Sequence, residues 1–213
     1  MAPERLGPCR RQGASEASPT VSFIKRVVLV NALVPAVMIG SDAVHGRLGA
    51  NPVEFVLRGT GIMALLFLAL TLTVTPARKL LGVPWLTKLR RMLGLLSFGY
   101  ATVHVGLYLS LEQGFDLVAV ARDLVTRPFI TLGALAFGFM VPLAWTSTNA
   151  AIRRLGKRWA RLHQRVYLVA VFAVVHYWLE VKADTTRPAI FASVFALLLF
   201  YRFVRRGIPK TVA

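Results

Sequence analysis

The chain has 213 residues, 56% of them hydrophobic and only 16% charged, where soluble domains carry roughly a quarter, and its formal net charge is +17. This balance excludes a soluble globular enzyme and describes an integral membrane protein. Nor is the charge a nucleic-acid footprint: no basic face or aromatic-basic recognition module accompanies it, and the cations sit in short segments between apolar runs.

Residues 1–25, rich in Pro, Ser, Gly and Arg, read as a disordered cytoplasmic tail. The tail holds Cys9, the one cysteine, so no intramolecular disulfide, cysteine zinc site or iron–sulfur cluster can be built. No C-x-x-C-H run occurs, so any haem is held noncovalently. Arg10 and Arg11 ahead of an apolar run superficially match a twin-arginine signal. No Phe-Leu-Lys follows the pair and no clean A-x-A precedes a soluble domain, so the run reads as a retained first span.

Six apolar segments follow, at about 27–44, 58–75, 93–111, 129–146, 165–181 and 189–204. Each approaches the ~20 residues that cross a ~30 Å hydrocarbon core. Alternating barrel patterning is absent, so backbone groups in lipid must be satisfied within helices. The expected fold is all-α, a six-helix transmembrane bundle over residues 26–206, with 207–213 as a second cytoplasmic tail. Twenty of the 26 basic residues fall in the N-terminal tail, the second-to-third and fourth-to-fifth loops and the C-terminal segment. The opposite side holds seven of the nine acids. The positive-inside rule therefore places both termini in the cytoplasm.

Three histidines lie in or against these segments: His104, His163 and His176. Ionisable groups at membrane depth are costly, which makes each a functional candidate, and neutral imidazole is the usual protein ligand of haem iron. His104 follows Arg91 by 13 residues and His176 follows Arg165 by 11. At 1.5 Å per residue both lie about 16–20 Å from the cytoplasmic face, in the periplasmic half. Two imidazoles at one level are what a bis-histidine haem needs. The plain alternative is a buried histidine hydrogen-bonded across the bundle.

His163 stands 13 residues before His176, near the cytoplasmic face. On one ideal helix those side chains would be about 140° apart. The corresponding positions before His104 are Arg90 and Arg91, not histidine. His163 thus reads as one axial ligand of an incompletely ligated haem, as part of another cofactor's site where the arginines bind propionates or a flavin phosphate, or as an interfacial residue. His45 reads as a loop residue at the outer end of the first span. Trp145, Trp159 and Trp178 read as interfacial anchors, with Tyr177 and Trp178 also able to pack on a porphyrin. Gly99 and Gly106 share a helical face and admit either a flat macrocycle or tight helix packing.

No Gly-rich dinucleotide fingerprint or P-loop is present, so electrons must come from elsewhere. The strings RRMLGLLSFGYATVHVGLY, LVTRPFITLG, AWTSTNAAIRRLGKRWARLHQRVYLVAV and HYWLEVK closely resemble the MsrQ (YedZ) family, from about Gly49 to Arg205. That family is the haem-binding membrane subunit of the MsrPQ methionine sulfoxide reductase system, within the ferric-reductase-like transmembrane group. The resemblance implies a haem b protein of the bacterial inner membrane, with FMN also attributed to the family. Its electrons would go to a periplasmic molybdenum-cofactor reductase, MsrP-like, that repairs oxidised methionine in periplasmic proteins. The family's histidines fall on His104, His163 and His176. Larger relatives place two histidines on each of two helices, and this chain departs from them at the cytoplasmic end of the third span.

The expected role is an electron-transfer subunit surrounded by membrane lipid, fed by a cytoplasmic flavin reductase or the quinone pool, with the sulfoxide chemistry in the partner. A near alternative is a quinol-oxidising cytochrome b of another respiratory enzyme. A different class, a histidine-based proton transporter or channel, predicts no haem; the lack of carboxylates at depth, away from the span ends, argues against it.

Overall fold

Helix boundaries in this chain are set by caps and prolines. The computed structural model describes residues 19–181 and 183–207, and the described residues form helices and turns with no strand. The first helix, α1 (Pro19–Val44), starts within the segment expected to be a disordered tail; Pro at a helix start is pre-organised for it. The rest of that tail, with Cys9, and residues 208–213 lie outside the described residues.

Helix α2 (Pro52–Leu81) runs well past the expected 58–75 at both ends. Asn51 caps it, its side chain accepting from the Glu54 backbone N–H at 3.3 Å and donating to the Glu54 carboxylate at 2.9 Å. A cap of this kind is worth about 1 kcal/mol. Gly82, at φ 67°, closes the helix in the left-handed conformation that an L side chain resists. A 3-10 turn, Pro84–Leu86, leads into α3 (Thr87–Leu107), which ends in a π-helical turn, Tyr108–Glu112.

An unforeseen short helix, α4 (Leu117–Thr126), follows, capped by Asp116. Its buried Asp123 accepts from Tyr108 Oη and Gln113 Nε2, both at 2.9 Å, and pairs with Arg127 at 3.3 Å, while Leu117 and Val125 face outward. Arg127, extended because Pro128 follows, separates α4 from α5 (Pro128–Trp145). Two seven-residue helices, α6 (Asn149–Leu155) and α7 (Lys157–His163), occupy the expected fourth-to-fifth loop. Then come α8 (Val166–Glu180) and α9 (Thr186–Gly207).

Five of these stretches are long and apolar enough to cross a membrane: α1, α2, Pro84–Glu112, α5 and Thr186–Val204. The expected fifth span corresponds to α8, whose 15 residues reach about 22 Å, short of the ~30 Å core. Large apolar side chains face outward throughout, Leu197, Phe200 and Phe203 among them. In water such a surface would aggregate; it suits a multi-pass membrane protein.

Helix α2 is the hub. One side joins Leu65, Leu68, Ala69 and Leu72 to Ala136 of α5, Val169 and Ala170 of α8 and Phe195 of α9. Its other side sets Phe67 and Val74 against Ala32 of α1 and Leu89, Leu93 and Tyr100 of α3. Lipid supplies no hydrophobic force between helices, so close packing over small residues and interhelical hydrogen bonds hold them, at roughly 0.6 kcal/mol per bond. Ser97 donates to the Ala64 carbonyl at 2.8 Å, Tyr100 to that of Ala32, and Arg202 of α9 to Thr75 at 2.7 Å and to Tyr167. The result pairs α2 with α3 and α5 with α8, and sets the two pairs side by side.

Candidate functional site

His104 on α3 and His176 on α8 meet between those two pairs. Their ring centres are 6.2 Å apart and their planes cross at 78°. Two imidazoles bonded to opposite sides of one metal at about 2.0–2.1 Å have ring centres roughly 6 Å apart, so this spacing fits an ion between them.

The hydrogen bonds select which nitrogen is left for that ion. His104 Nδ1 lies 3.0 Å from the Leu57 carbonyl, and His176 Nδ1 lies 2.6 Å from that of Phe129. A carbonyl only accepts, so each Nδ1 carries the proton and each Nε2 keeps its lone pair. This is the outer-shell arrangement that orients metal-binding histidines. Thr60, which donates to the Val56 carbonyl at 2.8 Å, also sits 3.4 Å from His104 Nδ1.

Each carbonyl is followed four residues later by a glycine that makes room for the ring. A Cβ at Gly61 would stand 3.3 Å from His104, and one at Gly133 only 2.9 Å from His176 Nδ1. The same device occurs twice: each histidine bonds the carbonyl 47 residues before it. A shift of 72 residues carries Leu57, Gly61 and His104 onto Phe129, Gly133 and His176. Single-sequence reading missed Gly61 and the role of Gly133, although this matched spacing around the two histidines is the signal that finds them. Gly99 and Gly106, singled out instead, would each place a Cβ in open space. Beside His176 in sequence, Tyr177 meets Phe191 edge-on and Trp178 is exposed, while the Phe129 ring lies 6.1 Å from the imidazole between centres.

His163 is apart from this pair. It ends α7, and α8 begins only at Val166, so His163 and His176 do not share one helix and the ideal-helix angle does not apply. Its ring stacks on Trp159 at 3.9 Å between centres, and its Nδ1 lies 3.2 Å from the Trp159 carbonyl. Nε2 is 3.5 Å from Ser147 Oγ. Burial pushes the imidazole below its ordinary pKa and the nearby Arg90 guanidinium adds to this, against the carbonyls of Trp159 and Leu143. The net effect favours the neutral imidazole, the form that binds iron. Trp159, expected as an interfacial anchor, donates Nε1 to the Thr146 carbonyl at 2.9 Å and covers His163. Arg91 diverges from Arg90: it donates to Asn149 at 2.6 Å. His45 is exposed just beyond α1, as a loop residue.

Residues 60–174 match the model of the ferric reductase like transmembrane component, a stretch that contains His104, Gly133 and His163. A protein of Azospira oryzae named protein-methionine-sulfoxide reductase heme-binding subunit MsrQ is 50% identical over 188 residues, covering 87% of this chain and 81% of that protein. The chain belongs to the MsrQ family. Proteins of the same name from Herminiimonas arsenicoxydans and Ralstonia nicotianae are 43% and 45% identical, over 86% of this chain and 86–87% of their own lengths. The MsrQ relationship thus extends beyond the domain match into the flanking helices.

Proposed function

We propose that this MsrQ-family chain is the haem-binding electron-transfer subunit of a methionine sulfoxide reductase system, with His104 and His176 as the axial ligands of a haem b. The observation that carries this reading is the pair of imidazoles 6.2 Å apart, each with Nδ1 bonded to a backbone carbonyl and Nε2 left for the metal. Bound there, haem supplies a one-electron carrier. The chain's part is to fix both rings through Leu57 and Phe129 and to leave space at Gly61 and Gly133, so that ligation changes little on reduction.

The His163 end serves electron entry. Its cofactor is either a haem ligated by His163 alone or FMN with its phosphate neutralised by Arg90, the arginine whose charge reaches His163. The donor is a cytoplasmic flavin reductase or the quinone pool, and the acceptor is a periplasmic MsrP-like molybdoprotein that reduces oxidised methionine. Purified protein reduced with dithionite should be reoxidised by that partner only when methionine sulfoxide is added. Persistent reduction in the presence of both would contradict the reading.

In this proposal α8 crosses the inner membrane with the other five, its short length made up by the polar flanks, and both termini are cytoplasmic. An alkaline phosphatase fused after Ala213 should be inactive. An active fusion would reverse the orientation and the side to which the haem delivers electrons.

A further inference from the structure

Helix α1 stands partly away from α2 and α3. Tyr100 holds it at the Ala32 carbonyl, and Ile39 meets Gly59, where an added Cβ would lie 3.1 Å away. Elsewhere a groove of about 1120 Å³ separates it from them. The walls are apolar along Leu29, Leu33, Leu95 and Leu96, and one end is formed by Lys25, Lys88 and Arg91.

Among the described residues, no carboxylate pairs with those three cations. The cations of every ion pair among the described residues are Arg47, Arg58 and Arg127. Arg91 bonds only the neutral Asn149 amide among the hydrogen bonds described above. From Arg91 to Gly99 along α3 is about 12 Å, within the ~15 Å depth of one leaflet's hydrocarbon. Gly99 lines this groove, and a Cβ there would meet nothing within 4 Å. An anionic head, an acyl chain's length of apolar wall and an unfilled glycine face coincide in one groove.

We propose that this groove is a site for one anionic phospholipid, its phosphate held by Lys25, Lys88 and Arg91 and an acyl chain lying over Gly99. The charge selects this occupant over a neutral quinone, which gains nothing from three cations. The site rests on the membrane placement proposed above but not on the haem assignment, so the haem spectrum reports separately on that reading and on folding.

The test uses the haem-loaded full chain, washed free of lipid in detergent and then offered phosphatidylglycerol or phosphatidylcholine with identical acyl chains, with native mass spectrometry as the readout. One phosphatidylglycerol per chain should be retained in preference to phosphatidylcholine. A cation near anionic lipid contributes about fivefold, so K25Q/K88Q should lower retention roughly twenty-five-fold. G99L should also lose it by filling the acyl position while leaving the head-group cations in place. Equal retention of both lipids, retention unaffected by both variants, or displacement by equimolar decylubiquinone would overturn the proposal.

Discussion

Replacing either His104 or His176 with Ala should abolish the low-spin haem spectrum of the purified protein. Both rings occupy one site, 6.2 Å apart, so removing one leaves the iron with a single protein ligand and converts it to a high-spin form or releases it. The loss should be as complete for one variant as for the other, because the two positions are built alike. A subtler change makes the same point without touching a ligand. Gly133→Ala would set a methyl group 2.9 Å from His176 Nδ1, forcing the ring off the Phe129 carbonyl. Disturbing an outer-shell partner of a metal ligand costs about 10–100-fold in affinity. Haem titration of the Gly133→Ala protein should show a loss of that size, and Gly99→Ala, with its Cβ in open space, should show none. Unaltered spectra in both histidine variants would remove this pair from the iron.

The second large effect is kinetic. His163→Ala should keep the His104–His176 spectrum intact and slow haem reduction from the cytoplasmic side. The two sites belong to different helices, with α7 ending at His163 and α8 starting at Val166, so loss of His163 does not act on His176 through a shared helix. The variant deletes a neutral imidazole stacked on Trp159 beside Arg90, and with it the proposed point of electron entry. Stopped-flow reduction by a cytoplasmic flavin reductase is the measurement. Wild-type rates would return His163 to a merely interfacial role, and loss of the low-spin signal would mean that it ligates the same iron.

The histidine pair was legible in the sequence because imidazole inside an apolar run is conspicuous, and helical rise alone matches their depths. What makes them a site was less visible. Leu57 and Phe129 hold the rings through backbone carbonyls, which any residue has, and Gly61 and Gly133 look like ordinary membrane-helix glycines until the spacing to each histidine is compared. The break between His163 and Val166 carries neither proline nor glycine, so nothing local announces it. Helix α4 did have boundary signals, Asp116 ahead of it and Pro128 behind, but ten residues fall below the length of a membrane span. Its buried Asp123 is a tertiary fact: the carboxylate tolerates burial only because Tyr108, Gln113 and Arg127 converge on it. The long helices themselves followed from apolar length, and their ends were misplaced where caps such as Asn51 and Gly82 extend helix beyond the apolar run.

Electron paramagnetic resonance of the oxidised protein tests the central claim most directly. Axial imidazoles whose planes cross steeply leave the iron d-orbitals nearly degenerate and give low-spin haem a single strong low-field feature. With the His104 and His176 planes at 78°, the account predicts that feature in the native protein and its absence after either histidine is replaced. A native spectrum with no low-spin haem feature, showing that no iron has two protein ligands, would contradict it.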